Sequence, residues 1–148
     1  MKRNFTIFAM CIGIFLCMLD TTVMNITLPT IQDSLKVRLN NLQLALNVYT
    51  IVFASLTIPL SKLAEKYGKQ RFYLLGLTTF MLGSLLSAIS QDLSFLIVGR
   101  AIQSLGAALV FPLSMTLGIS TVSVSARTKI IAALGVTQGL AAALGPTI

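Results

Sequence analysis

The sequence predicts an all-α membrane protein with about five spanning helices, and three observations carry that expectation. The 148 residues are 55% hydrophobic and only 10% charged, with a mean hydropathy of +0.89. A soluble domain carries about 25% charged residues, so this chain is too poor in charge to cover a water-facing surface. The apolar residues come in long runs, and the basic residues gather in the gaps between them. Crossing the hydrocarbon takes about 20 residues of helix, which these runs supply.

The spans are expected at residues 5–28, 42–60, 72–89, 93–119 and 130–148. The first follows Lys2 and Arg3, as a signal peptide would. Its length, the acid Asp20 inside it and the lack of a small-residue cleavage site make it a retained helix. Pro29 is expected to end it, because proline disfavours helical geometry at Leu28. Cys11 and Cys17 both fall in this span. On one helix they are separated by a rise of about 9 Å and point in different directions, so they read as packing residues.

The second and fourth spans contain Pro59 and Pro112, and the fifth contains Gly145-Pro146; each proline is an expected kink or helix end. Small residues recur at helix-contact spacing: Gly76, Gly83 and Ser87 in the third span, Gly99 and Gly106 in the fourth, Gly135, Gly139 and Ala143 in the fifth. Such stripes let helix backbones approach closely in lipid and imply a tightly packed bundle.

Orientation follows from the basic residues of alternate connections. Lys2 and Arg3, then Lys62, Lys66, Lys69 and Arg71, then Arg127 and Lys129 fall on one side, against Lys36 and Arg38 on the other. The expectation is a multi-pass protein of the cytoplasmic membrane with its N-terminus in the cytoplasm. The net charge of +7 has no aromatic-interleaved basic surface beside it, so nucleic acid is not the expected partner. With no histidine, no metal-ligand cluster and no nucleophile–base pairing, neither an enzyme nor a metal site is expected.

Charge inside a span is expensive: a central Asp costs about 2.5–3.5 kcal/mol on insertion scales. Asp20 lies in the outer half of the first span, followed by Thr21, Thr22 and Asn25, with Thr21 and Asn25 on one face. A carboxyl that loads and releases a proton at that depth is what proton coupling requires. A carboxyl held by a neighbouring helix, or hydrated near the outer interface, fits equally well. Arg100 enters the fourth span by about two turns, with Gln103 and Ser104 on its face, a stripe suited to binding a carboxylate or orienting water. The alternative is that Arg100 snorkels to the interface. Between the second and third spans, Gly68 suits a left-handed turn among Glu65, Lys66, Lys69 and Arg71.

These residues resemble motifs of the major facilitator superfamily, in particular its fourteen-helix multidrug–proton antiporter branch. The segment 61–71 is similar to the superfamily's signature between helices 2 and 3, with Leu63, Ala64, Lys66, Gly68, Lys69 and Arg71 fitting and Ser61, Glu65 and Gln70 as replacements. Leu19-Asp20-Thr21-Thr22-Val23-Met24-Asn25-Ile26-Thr27-Leu28-Pro29 resembles the branch's helix-1 motif. Arg100, Gln103, Gly106, Ala107 and Ala108 resemble its helix-4 motif, with Ser104 in place of a glycine. Gly145-Pro146 resembles the start of the antiporter motif of helix 5, with Ala141 where a glycine is usual.

The resemblance implies an incomplete N-terminal half of a major facilitator fold, working by alternating access once the remaining transporter helices are present. By the same analogy Asp20 is a proton-coupling or cation-sensing carboxyl and Arg100 takes part in proton transfer, and Asn25 and Gln103 join them as candidates for proton coupling or substrate contact. The loop of Glu65, Lys66, Gly68, Lys69 and Arg71 gates the conformational change, and Gly145-Pro146 marks exchange. The implied partners are the lipid bilayer, protons and cationic or amphipathic small molecules. The driving force is the proton gradient and no cofactor is implied. A truncated product that does not transport alone is the expectation. The alternatives are a non-transporting small membrane protein or degenerate gene product, a homo-oligomeric small transporter, and a metabolite symporter.

Overall fold

The structure, a computed structural model, describes residues 2–147. Its α-helices are α1 (Lys2–Leu35), α2 (Leu39–Tyr67), α3 (Lys69–Ala88), α4 (Leu93–Ser120) and α5 (Arg127–Leu144). Short 3-10 turns precede and follow α5, at Val124–Ala126 and Gly145–Thr147. No strand occurs among the described residues. All five helices are long and apolar enough to cross a membrane, and many of their large apolar side chains, such as Phe5, Ile58, Leu74, Met81 and Val136, are exposed as lipid-facing groups would be.

Two expectations about helix ends are corrected. Pro29 does not end the first helix, which continues to Leu35. Pro29 and Asn25 are both exposed, so the Asn25 carbonyl that loses its backbone donor four residues on is not sealed in an apolar core. The segment 61–71, expected as a loop, is helical on both sides of Gly68, since α2 runs to Tyr67 and α3 starts at Lys69. Pro59 and Pro112 lie inside α2 and α4 and end neither. Around them, hydroxyls bond back along the helix: Thr57 and Ser61 donate to the carbonyls of Phe53 and Thr57, and Thr116 to that of Pro112. Gly145-Pro146 does end the regular α5, which passes into the 3-10 turn there.

Contacts divide the chain into two units. The first combines the stretch up to Ile26 with the stretch from Val110, and the second is residues 27–109. In the first unit Gly118 of α4 faces Ile130 and Leu134 of α5; a Cβ on Gly118 would lie 3.1 Å from Ile130 Cγ2. Gly145 abuts Thr22 of α1, whose Cβ would lie 2.6 Å from an added methyl. Gly135 and Gly139, expected in a close helix contact, are exposed and have nothing within 4 Å of an added Cβ, so that stripe of α5 is uncovered.

In the second unit the stripes of α3 and α4 do meet. Gly99 opposes Ser87, Gly83 opposes the backbone of Gln103, and Gly106 opposes Gly76 and the backbone of Phe80. As the number falls on one helix it rises on the other, so the two run antiparallel. The missing side chains of Gly83, Gly99 and Gly106 let each lie against the backbone of the facing helix.

Candidate functional site

That crossing fixes the height of the charged face of α4. Asp92 caps the helix: its Oδ1 accepts from the Phe95 amide at 2.7 Å. Arg100 follows about two turns later and Gln103 one turn beyond, on the face turned towards α3. Arg100 is 2% exposed and Gln103 and Ser104 are fully buried, so the guanidinium is turned inward and does not reach out to the interface.

An inward guanidinium needs acceptors or a π face. Arg100 Nη1 donates to Gln103 Oε1 at 2.6 Å, and Gln103 Nε2 donates to Ser84 Oγ of α3 at 2.7 Å. The amide is therefore oriented oxygen to the cation and nitrogen to the hydroxyl. From α2, the ring of Tyr49 covers the guanidinium, with Cζ 4.3 Å from the ring centroid. The main-chain oxygen of Tyr49 accepts from Ser104 Oγ at 2.7 Å. Three helices thus converge on one cation: α4 supplies it, α3 anchors its amide partner, and α2 supplies the aromatic face.

The other residues singled out by sequence are placed as follows. Asp20 is half-buried on α1. Thr21, Thr22 and Asn25 satisfy their side chains within α1, donating to the carbonyls of Cys17, Met18 and Thr21 at 3.0, 2.9 and 2.9 Å. Gly68 has φ +116° and ψ +111°, a positive-φ conformation that side chains resist, and its amide donates to Ala64 O at 2.9 Å to close α2. Beside it the half-buried Lys69 places Nζ 3.8 Å from Oε1 of the exposed Glu65, a solvent-screened pair of little energetic weight. Lys66 and Arg71 are exposed.

Tyr49 and Ser84 were not singled out by sequence. Tyr49 carries a signal that could have been used, since a tyrosine ten residues inside an apolar helix has a polar end to satisfy. Ser84 looks like any small contact residue, and nothing in its neighbourhood announces an amide across the helix interface.

Five membrane-length helices, with an arginine and an amide buried where three of them meet, define a polytopic membrane protein that keeps polar groups within its bundle. The chain belongs to the Major Facilitator Superfamily, whose family model matches residues 10–148. It is similar to the methylenomycin A resistance protein of Bacillus subtilis, at 34% identity over 94% of this chain and 30% of the relative. It is also similar to the multidrug resistance protein Stp of Mycobacterium tuberculosis, at 33% identity over 97% of the chain and 27% of that protein. The riboflavin transporter RibZ of Clostridioides difficile matches at 31% identity over 93% of the chain and 30% of the relative. The chain spans about 30% of the length of these curated relatives.

Proposed function

We propose that residues 1–148 are the N-terminal transmembrane part of a proton-coupled antiporter that exports cationic or amphipathic small molecules by alternating access. The observation that carries this reading is Arg100, buried inside a membrane-length helix with an amide and an aromatic ring gathered around it. Holding an ionisable group inside the bilayer is expensive, and such groups mark ion and substrate pathways. Asp20, half-buried on α1, supplies a carboxyl for proton loading. The names of two relatives, a methylenomycin A resistance protein and a multidrug resistance protein, favour export of drug-like molecules. The N-terminus and the α2–α3 turn with Lys66, Lys69 and Arg71 face the cytoplasm, where the basic excess is favoured.

In this reading the 148 residues alone do not transport, because alternating access needs a second wall rocking against the first. The test is dye movement in vesicles carrying a pH gradient, using the transporter-length protein that contains these residues and a fluorescent monovalent cation. Gradient-driven exchange, lost in Asp20→Asn and in Arg100→Leu, is expected; the 148-residue chain in the same vesicles should carry none. Exchange that persists in Asp20→Asn removes the carboxyl from the mechanism, and flux through the short chain overturns its dependence on further helices. A second reading, carriage of a metabolite, is favoured by the riboflavin transporter among the relatives. Uptake of labelled riboflavin in place of dye exchange would select it.

A further inference from the structure

A guanidinium presents an edge of N–H donors and two flat faces, and holding only the edge leaves the plane free to tilt. On Arg100 the edge is engaged at Nη1 by Gln103, which is itself tied to Ser84. The Tyr49 ring presents its face to the guanidinium, whose Cζ lies 4.3 Å from the ring centroid, within the range of a cation–π contact. Both residues are buried, so the contact forms out of water, where it is strongest.

Two further contacts fix the ring itself. Ser104 donates to the main-chain oxygen of Tyr49, which sets the height of α2 against α4 one turn from Arg100. Phe53, one turn along α2, lies 6.3 Å from the Tyr49 ring with the planes 3° apart, which limits its swing. The tyrosine is thus held by its backbone and along its ring while it covers the cation.

We propose that Tyr49 is a positioning residue: its ring fixes the guanidinium plane of Arg100 and so aims Nη1 at Gln103. The proposal rests on the reading of Arg100 as a working group of transport. It differs from a packing role because it depends on the electron-rich ring face, and apolar bulk does not replace it.

The test is side-chain NMR of the ¹⁵N-arginine-labelled 148-residue chain in lipid nanodiscs. The chain has five arginines, and Arg100→Lys identifies the Arg100 Nε–H signal. That signal should carry a ring-current displacement and exchange slowly with water. Tyr49→Phe keeps both. Tyr49→Leu loses the displacement and speeds exchange roughly tenfold or more, the factor expected from losing a desolvated cation–π contact. Pentafluorophenylalanine at position 49 keeps the shape of the ring while reversing its quadrupole. It should speed exchange as leucine does, even if the leucine variant fails to fold.

Wild-type exchange in the fluorinated variant, or the same loss in Tyr49→Phe as in Tyr49→Leu, overturns the proposal. In the transporter-length protein, dye exchange should be kept by Tyr49→Phe and fall by a similar factor with the fluorinated ring. Unchanged exchange there also overturns the positioning role. A wild-type protein that moves no dye refutes the antiport reading instead, and the NMR comparison still decides whether Tyr49 positions Arg100.

Discussion

Two glycine-to-alanine substitutions separate the packed stripe from the uncovered one. At Gly106 an added Cβ would fall 2.5 Å from Gly76 O and 2.7 Å from Phe80 Cα, and closer still to the Phe80 amide nitrogen. Ordinary contacts begin at 3.4 Å, so α3 and α4 must separate by about 1 Å at the crossing. All three neighbours are backbone or main-chain atoms, so no rotamer change relieves the clash. Overpacking costs about 1–3 kcal/mol, and the upper end applies where nothing can rotate away. Alanine returns about 1 kcal/mol of helix propensity, leaving a net loss of about 2 kcal/mol. At Gly135 nothing lies within 4 Å, so only the propensity gain of up to about 1 kcal/mol remains.

The two variants should therefore differ by about 3 kcal/mol, with opposite signs relative to wild type. Reversible unfolding of the purified chain by sodium dodecyl sulfate in mixed micelles, followed by far-UV circular dichroism, measures this. Gly106→Ala should unfold at a lower detergent fraction and Gly135→Ala at the same or a higher one. A Gly106→Ala chain as stable as wild type would show that the α3–α4 crossing is not a backbone contact. Equal losses in both variants would show that the α5 stripe is packed after all.

Three further outcomes follow from the same geometry. Gly68→Ala meets no atom within 4 Å but must adopt φ +116°, so it should lose about 1–3 kcal/mol through the backbone and be cut faster by trypsin at Lys66, Lys69 and Arg71. Asp92→Ala removes the cap on the Phe95 amide and should cost about 1 kcal/mol, read as roughly fivefold faster hydrogen exchange at that amide. Gly145→Ala pushes a methyl into Thr22 of α1, so in a Cys11→Ser background the buried Cys17 should react several-fold faster with a thiol reagent, while Gly139→Ala leaves the rate unchanged.

The five helices were legible because lipid imposes a simple rule: charge-poor runs of sufficient length must cross. Their ends were not. Water and headgroups tolerate further helical turns beyond the hydrocarbon, so α1 passes Pro29 and α2 runs on through Lys66 to Tyr67. Gly76, Gly83, Gly99 and Gly106 marked helices that pack closely, and the structure sets them against each other across α3 and α4, a pairing the stripes themselves did not name. Gly135 and Gly139 carried the same pattern, but a stripe does not name what covers it. Within the site, Arg100 and Gln103 were legible from one helix face. Tyr49 and Ser84 were not, since their roles arise from the register of α2 and α3 against α4, which no local pattern encodes.

Hydropathy is a poor guide to how much of each helix is buried. The most apolar stretch belongs to α1, yet 28% of it is buried against 56% of the corresponding stretch of α4. The reason is the solvent. In lipid an apolar side chain gains little from burial, because hydrocarbon surrounds it either way, whereas a polar one outside the bundle finds no partner. Arg100, Gln103, Ser104 and Ser114 are the buried polar side chains among the described residues, and all four lie on α4. The polar residues of a span therefore select its place, and the glycines beside them set how near the neighbours come. On this logic Gln103→Leu keeps α4 apolar enough to insert but takes the acceptor from Arg100 Nη1 and the donor from Ser84, so its cost falls on the interior contacts rather than on insertion.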